Sequence, residues 1–151
     1  MDEAGQRRVR EASVLVVGAG GLGSPVCLYL GAAGIGELHV SDFDRVDVTN
    51  LQRQILFSEQ DVGRDKTDAA ARRLAALNPE VRLRVTAGRL SGEALLEAVE
   101  AASVVADCCD NFATRFAVNQ ACVATGTPLV SGAVIRYEGQ LAVFRADRAP
   151  G

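Results

Sequence analysis

A glycine-rich turn directly after an apolar segment is the feature that most restricts the fold of this chain. Residues 13–17 (Ser-Val-Leu-Val-Val) have the length and composition of a strand that is covered on both faces of a parallel sheet. Gly18, Gly20 and Gly23 follow as a G-x-G-x-x-G pattern, and apolar residues then recur at helical spacing over residues 22–33. The sequence therefore predicts a strand and a helix joined by a turn whose backbone can approach phosphate or ribose.

The rest of the chain continues this alternation. The strand predicted at residues 81–86 alternates apolar and polar residues, which indicates a position near an edge of the sheet. Further helices are predicted at residues 65–77, 91–100 and 111–125, and further strands at residues 37–41, 103–107 and 128–131, with a hairpin of residues 134–137 and 140–144 that turns at Glu138-Gly139. This order predicts a Rossmann-like, doubly wound α/β fold with a mostly parallel sheet and an antiparallel hairpin at its C-terminal end.

Length and charge exclude several classes of protein. A chain of 151 residues is long enough for one domain, and we expect residues 1–151 to form a single domain. The net charge of −3 argues against nucleic acid as a partner. No apolar run approaches the roughly 20 residues of a membrane span, and the N-terminus lacks the apolar core of a signal peptide. We therefore expect no membrane association and a cytoplasmic location.

Cysteine and histidine usage narrows the possible chemistry. The four cysteines form no C-x-x-C pair and have no neighbouring histidine, which argues against a zinc site and indicates reduced, buried thiols. His39 is the only histidine and lies in the middle of a predicted strand, where we expect it to point into the fold. The chain also contains no G-x-S-x-G segment, so the sequence argues against hydrolysis by a serine or histidine mechanism.

A polar segment after the second strand suggests phosphate chemistry. Asp42 ends that strand, at the place where a carboxylate accepts hydrogen bonds from ribose hydroxyls in Rossmann-like folds. Asn50, Arg53 and Gln54 follow in the loop, and Lys66, the only lysine, lies at the start of the next helix. Amide donors and fixed cations are what an α-phosphate under attack requires. The alternative interpretation of the loop is a solvated surface connection.

A second acidic segment ends the fourth strand. Asp110 is a candidate Mg²⁺ ligand, since this ion takes few protein ligands and prefers oxygen. Asp107 lies inside or at the end of the strand and is the weaker candidate. The alternative is that Asp110 or Asn111 only caps the following helix.

Four segments together resemble the HesA/MoeB/ThiF family, the adenylating relatives of ubiquitin-activating enzymes. The resemblance extends from about Gly5 to Phe144. The segments are Gly-Ala-Gly-Gly-Leu-Gly at residues 18–23, Asn-Leu-Gln-Arg-Gln at 50–54, Cys-Asp-Asn at 109–111 and Pro-Leu-Val-Ser-Gly-Ala at 128–133. This resemblance implies an enzyme that uses ATP and Mg²⁺ to adenylate the C-terminal glycine carboxylate of a ubiquitin-like sulphur-carrier protein ending in Gly-Gly. It implies a carrier of the molybdopterin or thiamine type and a homodimer of the full-length protein.

The resemblance also implies roles for single residues. Gly21 would line the nucleotide, Asp42 would bind the ribose, and Asp110 would hold the metal ion. The phosphates would be bound by Asn50, Arg53 and Lys66. The expected catalytic residues are Arg53, Lys66 and Asp110, and the expected cofactor-binding residues are Gly18, Gly20, Gly21, Gly23, Asp42, Asp44, Asn50, Gln54 and Asn111.

The chain also departs from the family pattern. Family members continue past the end of this chain with a C-x-x-C zinc pair, so we expect the nucleotide-binding part of a longer protein. Two other functions stay open: an NAD-binding oxidoreductase and a non-catalytic nucleotide-binding module. The oxidoreductase would share the glycine turn and Asp42, whereas hydride transfer does not require the group formed by Asn50, Arg53, Lys66 and Asp110.

Overall fold

The computed structural model describes residues 2–145 and residue 147. The helices in this range are α1 (Glu3–Glu11), α2 (Gly23–Ala33), α3 (Lys66–Leu77), α4 (Gly92–Glu100) and α5 (Phe112–Thr125). The strands are β1 (Ser13–Val17), β2 (Glu37–Asp42), β3 (Arg82–Ala87), β4 (Val104–Asp107), β5 (Leu129–Ile135) and β6 (Glu138–Phe144). Two 3₁₀ turns, Val48–Asn50 and Glu59–Asp61, lie between β2 and α3. No helix in the described range is long and apolar enough to cross a bilayer.

The strands form one six-stranded sheet in the order β3-β2-β1-β4-β5-β6. The first five strands are parallel and β6 is antiparallel to β5, which confirms the predicted doubly wound fold and the terminal hairpin. The strand β3 lies at the edge, as its alternating pattern predicted. Because the strand order reverses at β1, the carboxyl ends of β1 and β4 border the crevice where open α/β sheets bind ligands.

Apolar side chains cover both faces of the sheet. In β1, Val14 and Val16 belong to one buried cluster with residues of α2 and α3, and Leu15 and Val17 belong to a second with residues of α4 and α5. All four side chains are buried, and each such burial contributes roughly 2 kcal/mol. The core therefore holds β1 rigidly at the centre of the sheet, and the glycine turn begins where that strand ends.

The hairpin turns two residues earlier than the sequence predicted. The strand β5 is continuous from Leu129 to Ile135, and the turn is formed by Arg136 and Tyr137 rather than by Glu138-Gly139. Arg136 takes the left-handed φ of 57° that such a tight turn requires. Pairing along the full length of both strands outweighs the local preference for glycine in the turn.

Helix α1 was not predicted. Its nine residues include five charged side chains, and a sequence this short and polar has little helical preference of its own. Two tertiary and capping contacts stabilise it: Asp2 Oδ1 accepts a hydrogen bond of 2.8 Å from the Gly5 amide, and Val9 packs against the core.

We expect His39 to make the protein less stable at mildly acidic pH. Burial lowers the pKa of His39 below its usual value of 6.5, and nearby Arg84 lowers it further, against an opposing effect of Glu37. The unfolded chain then binds the proton more readily, so stability is complete above about pH 6.5 and falls as the pH drops towards the folded pKa. Urea unfolding at about pH 7.5 and about pH 5.5 should show this loss, and His39→Gln should reduce it.

The single histidine makes this test unambiguous by NMR, because only one imidazole titrates. Glutamine keeps a polar group near Thr86, whose hydroxyl lies 2.8 Å from His39 Nε2. A folded-state pKa at or above 6.5 would contradict the prediction.

Candidate functional site

The candidate site lies where the carboxyl ends of three neighbouring strands meet. Val17 at the end of β1 pairs with Ser41 of β2 on one side and with Asp107 of β4 on the other. The register continues beyond the strands, because the Gly18 amide donates to the Ser41 carbonyl at 2.8 Å and the Cys108 amide donates to the Val17 carbonyl at 2.9 Å. The glycine loop, the end of β2 and the β4–α5 loop are thereby brought side by side.

Two of the four predicted glycines are required by packing. Gly18 has a φ of 93°, and a Cβ there would lie 3.0 Å from the Cys108 carbonyl oxygen. A Cβ on Gly23 would lie 1.8 Å from the Gly18 carbonyl oxygen, a distance that no side chain can adopt. Only glycine therefore permits the backbone to turn here from β1 into α2.

The other two glycines are not required by packing. A Cβ on Gly20 would come no closer than 3.8 Å to Gln54 Nε2, and a Cβ on Gly21 would lie 3.6 Å from Arg53 Cγ and Cδ. These are ordinary contact distances, and neither residue has a positive φ. The glycines instead leave a stretch of bare backbone beside Arg53 and Gln54, which suits the close approach of a ligand.

Asp42 lies at the end of β2, as the sequence predicted, and it holds the glycine loop. Its Oδ2 accepts a hydrogen bond of 2.7 Å from the Ala19 amide, and its Oδ1 accepts one of 2.8 Å from the Asp44 amide. The residue is only 8% exposed. Each carboxylate oxygen keeps a further lone pair, so Asp42 can accept a hydrogen bond from a hydroxyl group while it also holds the glycine loop.

The loop from Asp47 to Gln54 lies largely on the surface and is held by hydrogen bonds from its own side chains. Asp47 caps the first 3₁₀ turn by accepting from the amide and hydroxyl of Thr49. Gln54 Nε2 donates to Asn50 Oδ1 at 3.1 Å, and Arg53 Nη1 donates to the Thr49 carbonyl at 3.2 Å. Gln54 Oε1 is buried and has no hydrogen-bond partner within the described residues. A buried polar atom without a partner is costly and marks a place where a ligand can bind.

Lys66 is the most deeply buried cation among the predicted site residues. It is 3% exposed, and its Nζ lies 3.0 Å from Asp44 Oδ2. The Lys66 amide also donates to the Asp44 carbonyl, at 3.0 Å. The Asp44 side chain is 53% exposed, so the pair presents its anionic half to solvent while the ammonium group stays in the protein. A buried ammonium group needs such a partner, and an arriving phosphate oxygen could take over that role.

Three polar residues at the end of β4 and in the loop after it have separate roles. Asn111 caps α5, because its Oδ1 accepts from the Thr114 amide at 2.9 Å. Asp107 is fully buried; Cys109 and Ser131 donate hydrogen bonds to its carboxylate, and Arg115 forms an ion pair with it. Asp110 is exposed, and its side chain makes no hydrogen bond or ion pair with any other described residue. Of the two aspartates, only Asp110 is therefore available to a ligand.

Sequence reasoning missed Arg115. Its guanidinium contacts the Asp107 carboxylate at 2.9 Å and also reaches the Ser131 hydroxyl and the carbonyl oxygens of Cys109 and Gly132. The signal that could have revealed it is Asp107 itself, because a carboxylate in an apolar strand needs a cationic partner. Sequence alone does not say which arginine fills that place.

The thiols near the site are protonated at neutral pH. Burial raises the pKa of Cys108 to about 11 and that of Cys109 to about 12, and in both cases Asp107 raises it further. Cys27 and Cys122 are buried, and the pKa of each is raised as well. None of the four has the low pKa of an activated cysteine nucleophile. In residues 2–145 and 147, no group of three or more metal-ligating side chains lies together.

The profile of the ThiF family matches residues 1–151. The chain belongs to this family. It is 48% identical over 140 residues to the "Sulfur carrier protein ThiS adenylyltransferase" of Escherichia coli, a match covering 93% of this chain and 56% of that protein. It is 51% identical over 140 residues to the "Sulfur carrier protein adenylyltransferase" of Thermus thermophilus, a match covering 93% of this chain and 52% of that protein. The chain thus spans about half the length of these relatives.

Solved structures support the same assignment. The crystal structure of E. coli MccB with ATP superimposes with a TM-score of 0.77 at 33% identity, over 85% of this chain and 38% of that chain. The family resemblance and the fold predicted from the sequence are both confirmed.

We expect alanine substitutions to separate the two kinds of glycine in this ThiF-family chain. Gly23→Ala should lower the free energy of unfolding by more than about 2 kcal/mol, because the new Cβ overlaps the Gly18 carbonyl oxygen. Gly21→Ala should change stability by less than about 1 kcal/mol but weaken nucleotide binding, because it fills open space beside the backbone. Urea unfolding and titration with a fluorescent ATP analogue measure the two effects. Unchanged nucleotide affinity in Gly21→Ala would show that the ligand does not use this surface.

We also expect the adjacent thiols of Cys108 and Cys109 to resist alkylation. At about pH 8, a thiol with a pKa near 11 is ionised about a hundredfold less than free cysteine, so iodoacetamide should label Cys108 and Cys109 at least that much more slowly. Peptide mass spectrometry measures the labelling, and protein unfolded in urea provides the reference rate. Rapid labelling of either cysteine in the folded protein would reveal an activated thiolate and contradict the assignment.

Proposed function

We propose that the protein is an ATP-dependent adenylyltransferase that activates the C-terminal glycine carboxylate of a ubiquitin-like sulphur-carrier protein ending in Gly-Gly. Two observations carry the proposal: Lys66 is buried, and Arg53 lies beside the bare backbone of Gly21. The names of the E. coli and T. thermophilus relatives, both adenylyltransferases of sulfur carrier proteins, support the same activity. The substrate is then a carrier of the molybdopterin or thiamine type.

The proposed roles follow from what each group can still bind. Asp42 has lone pairs left for ribose hydroxyls, and Gly20 and Gly21 allow the nucleotide to approach the backbone. Arg53 supplies a planar fork and Lys66 a point charge for the phosphates. The Gln54 side-chain amide lies beside Gly20 and is hydrogen-bonded to the side chain of Asn50. Gly18 and Gly23 shape the turn, Asp44 pairs with Lys66 before the nucleotide binds, and Asn111 supports the helix that follows Asp110.

Magnesium is the metal ion that fits these residues. Asp110 is the carboxylate at this edge of the sheet without a protein partner among the described residues, and Mg²⁺ bound with a nucleotide needs only one or two carboxylates. When bound, the ion would neutralise charge on the phosphates. We therefore propose Asp110 as its protein ligand.

The residues then act by position and charge. The attacking group is a peptide carboxylate, which is already ionised at neutral pH, so the reaction requires no general base. Arg53 and Lys66 stabilise the negative charge that builds up on the α-phosphate as the carboxylate attacks and pyrophosphate leaves. The protonated thiols agree with this scheme, which has no covalent step on the chain.

The alternative functions are less well supported. An NAD-binding oxidoreductase would share the glycine turn and Asp42, but hydride transfer does not require a buried lysine such as Lys66 near the phosphates. The family match does not favour this function either. A non-catalytic nucleotide-binding module would bind ATP without turnover. We further propose that residues 1–151 form a single adenylation domain, that the full-length protein is a homodimer, and that it resides in the cytoplasm without nucleic-acid or membrane partners.

We expect Arg53→Ala and Lys66→Ala each to reduce ATP–pyrophosphate exchange by about 100-fold or more, because each removes a cation that stabilises the transition state. The assay uses the full-length protein with a carrier ending in Gly-Gly. Arg73→Ala is the matched control, because Arg73 is exposed on α3 and should leave exchange unchanged. If both site variants retain exchange, the assignment of these residues is wrong. If the unsubstituted protein binds ATP without exchange, the non-catalytic alternative is correct.

A further inference from the structure

Arg115 joins three separate segments of the chain through one side chain. It lies on α5, and its Nη1 contacts Asp107 Oδ2 at 2.9 Å and the Ser131 hydroxyl at 2.6 Å. Its Nη2 donates to the Gly132 carbonyl at 3.0 Å and to the Cys109 carbonyl. The guanidinium therefore ties the end of β4, the β4–α5 loop and the middle of β5 to one another.

Asp107 is the fixed point of this arrangement. Its Oδ1 accepts from the Cys109 amide at 3.1 Å and from the Cys109 thiol at 2.8 Å. Its Oδ2 accepts a hydrogen bond from Ser131 and forms an ion pair with Arg115. The carboxylate is completely buried, and all of these partners belong to the protein itself. Asp107 thus serves as an anchor and is not exposed to a ligand.

The anchored segments form the wall against which the glycine loop packs. A Cβ on Gly18 would lie 3.0 Å from the Cys108 carbonyl oxygen and 3.2 Å from Cys109 Cα. A Cβ on Gly132 would lie 3.4 Å from Leu22 Cδ1. The backbone that Arg115 holds is therefore in direct contact with the proposed nucleotide-binding turn.

Asp110 sits between two held residues but is not held itself. Cys109 on one side is fastened by Asp107 and Arg115, and Asn111 on the other side is fixed as the cap of α5. The Asp110 side chain has no partner among the described residues. Its position relative to the glycine loop is therefore set by Cys109, which the Arg115 guanidinium holds, and by Asn111, which the cap of α5 holds.

We propose that Arg115 is a positioning residue that places Asp110 for binding of the nucleotide's metal ion. The inference rests on the proposed function, in which Asp110 is the Mg²⁺ ligand. A residue that orients a metal ligand changes the affinity for the metal ion, although it does not contact the ion itself.

The decisive variant is Arg115→Lys in the full-length protein. Lysine keeps a positive charge for the buried Asp107, but it lacks the planar fork that reaches the carbonyls of Cys109 and Gly132 together. The Mg²⁺ concentration for half-maximal ATP–pyrophosphate exchange should rise about tenfold, while exchange at saturating Mg²⁺ recovers most of the original rate. Ser131→Ala removes one hydrogen-bond partner of Arg115 and leaves Arg115 itself in place. It should raise the half-maximal Mg²⁺ concentration by a smaller factor. Arg73→Ala should cause no shift.

Two further measurements separate positioning from general stability. In the nucleotide-free protein, hydrogen–deuterium exchange of the amides of residues 109–112 should be faster in Arg115→Lys, while β1 and β2 stay protected. In a protein that already carries Asp110→Asn, Arg115→Lys should add no further shift in Mg²⁺ dependence, because Arg115 affects the metal ion only through the position of Asp110.

The outcomes distinguish this inference from the proposed function. If Arg115→Lys lowers exchange by the same factor at every Mg²⁺ concentration, or shifts nothing, the positioning role is wrong while adenylation stands. If Asp110→Asn leaves the Mg²⁺ dependence unchanged although Lys66→Ala abolishes exchange, the metal role of Asp110 and this inference both fail. If the unsubstituted protein catalyses no exchange, the proposed function itself fails.

Discussion

The glycine loop packs its backbone closely against the backbone of the β4–α5 loop, where a Cβ on Gly18 would lie 3.0 Å from the Cys108 carbonyl oxygen. Gly23 lies so close to the Gly18 carbonyl oxygen that a Cβ there would overlap it. Asp42 completes the arrangement by binding the Ala19 amide from the neighbouring strand. Because these contacts are between backbone atoms or to a buried carboxylate, the loop keeps its shape before any ligand binds, and Gly20 and Gly21 stay open beside it.

Buried charges at this edge of the sheet are paired in two different ways. Lys66 pairs with Asp44, whose side chain is largely exposed, so the pair can rearrange when an anion binds. Asp107 pairs with Arg115 in the interior and shares Ser131 with it, so that pair is tied into the protein. The Lys66–Asp44 pair is suited to binding a ligand, and the Asp107–Arg115 pair is suited to fixing the surrounding backbone. This difference follows from the exposure of each pair and from its number of hydrogen-bond partners.

The sequence predicted the parts of this structure that depend on local pattern. The apolar run of β1, the glycines at the first turn and Asp42 at the end of β2 all follow from spacing and residue type, and each lies where it was predicted. Helix α1 and the turn at Arg136 were not predicted, because capping, packing and strand register outweigh weak local preferences there. Asn111 and Asp110 could not be told apart as helix cap and free carboxylate, because both residue types are good caps and only the backbone geometry selects one.

By itself, the sequence determined the fold class, the family and the edge of the sheet where the candidate site residues lie. Periodicity and glycine spacing are local properties, and in a parallel sheet they place every loop that follows a strand at the same edge. Only the tertiary structure decided which carboxylate is buried with partners inside the protein, which cation is buried and which arginine joins β4 to β5. Those outcomes depend on side chains that are distant in sequence, such as Asp107 and Ser131, meeting at hydrogen-bond distance. The spacing of residues along the chain does not predict such long-range contacts, because they are set by the packing of the whole sheet.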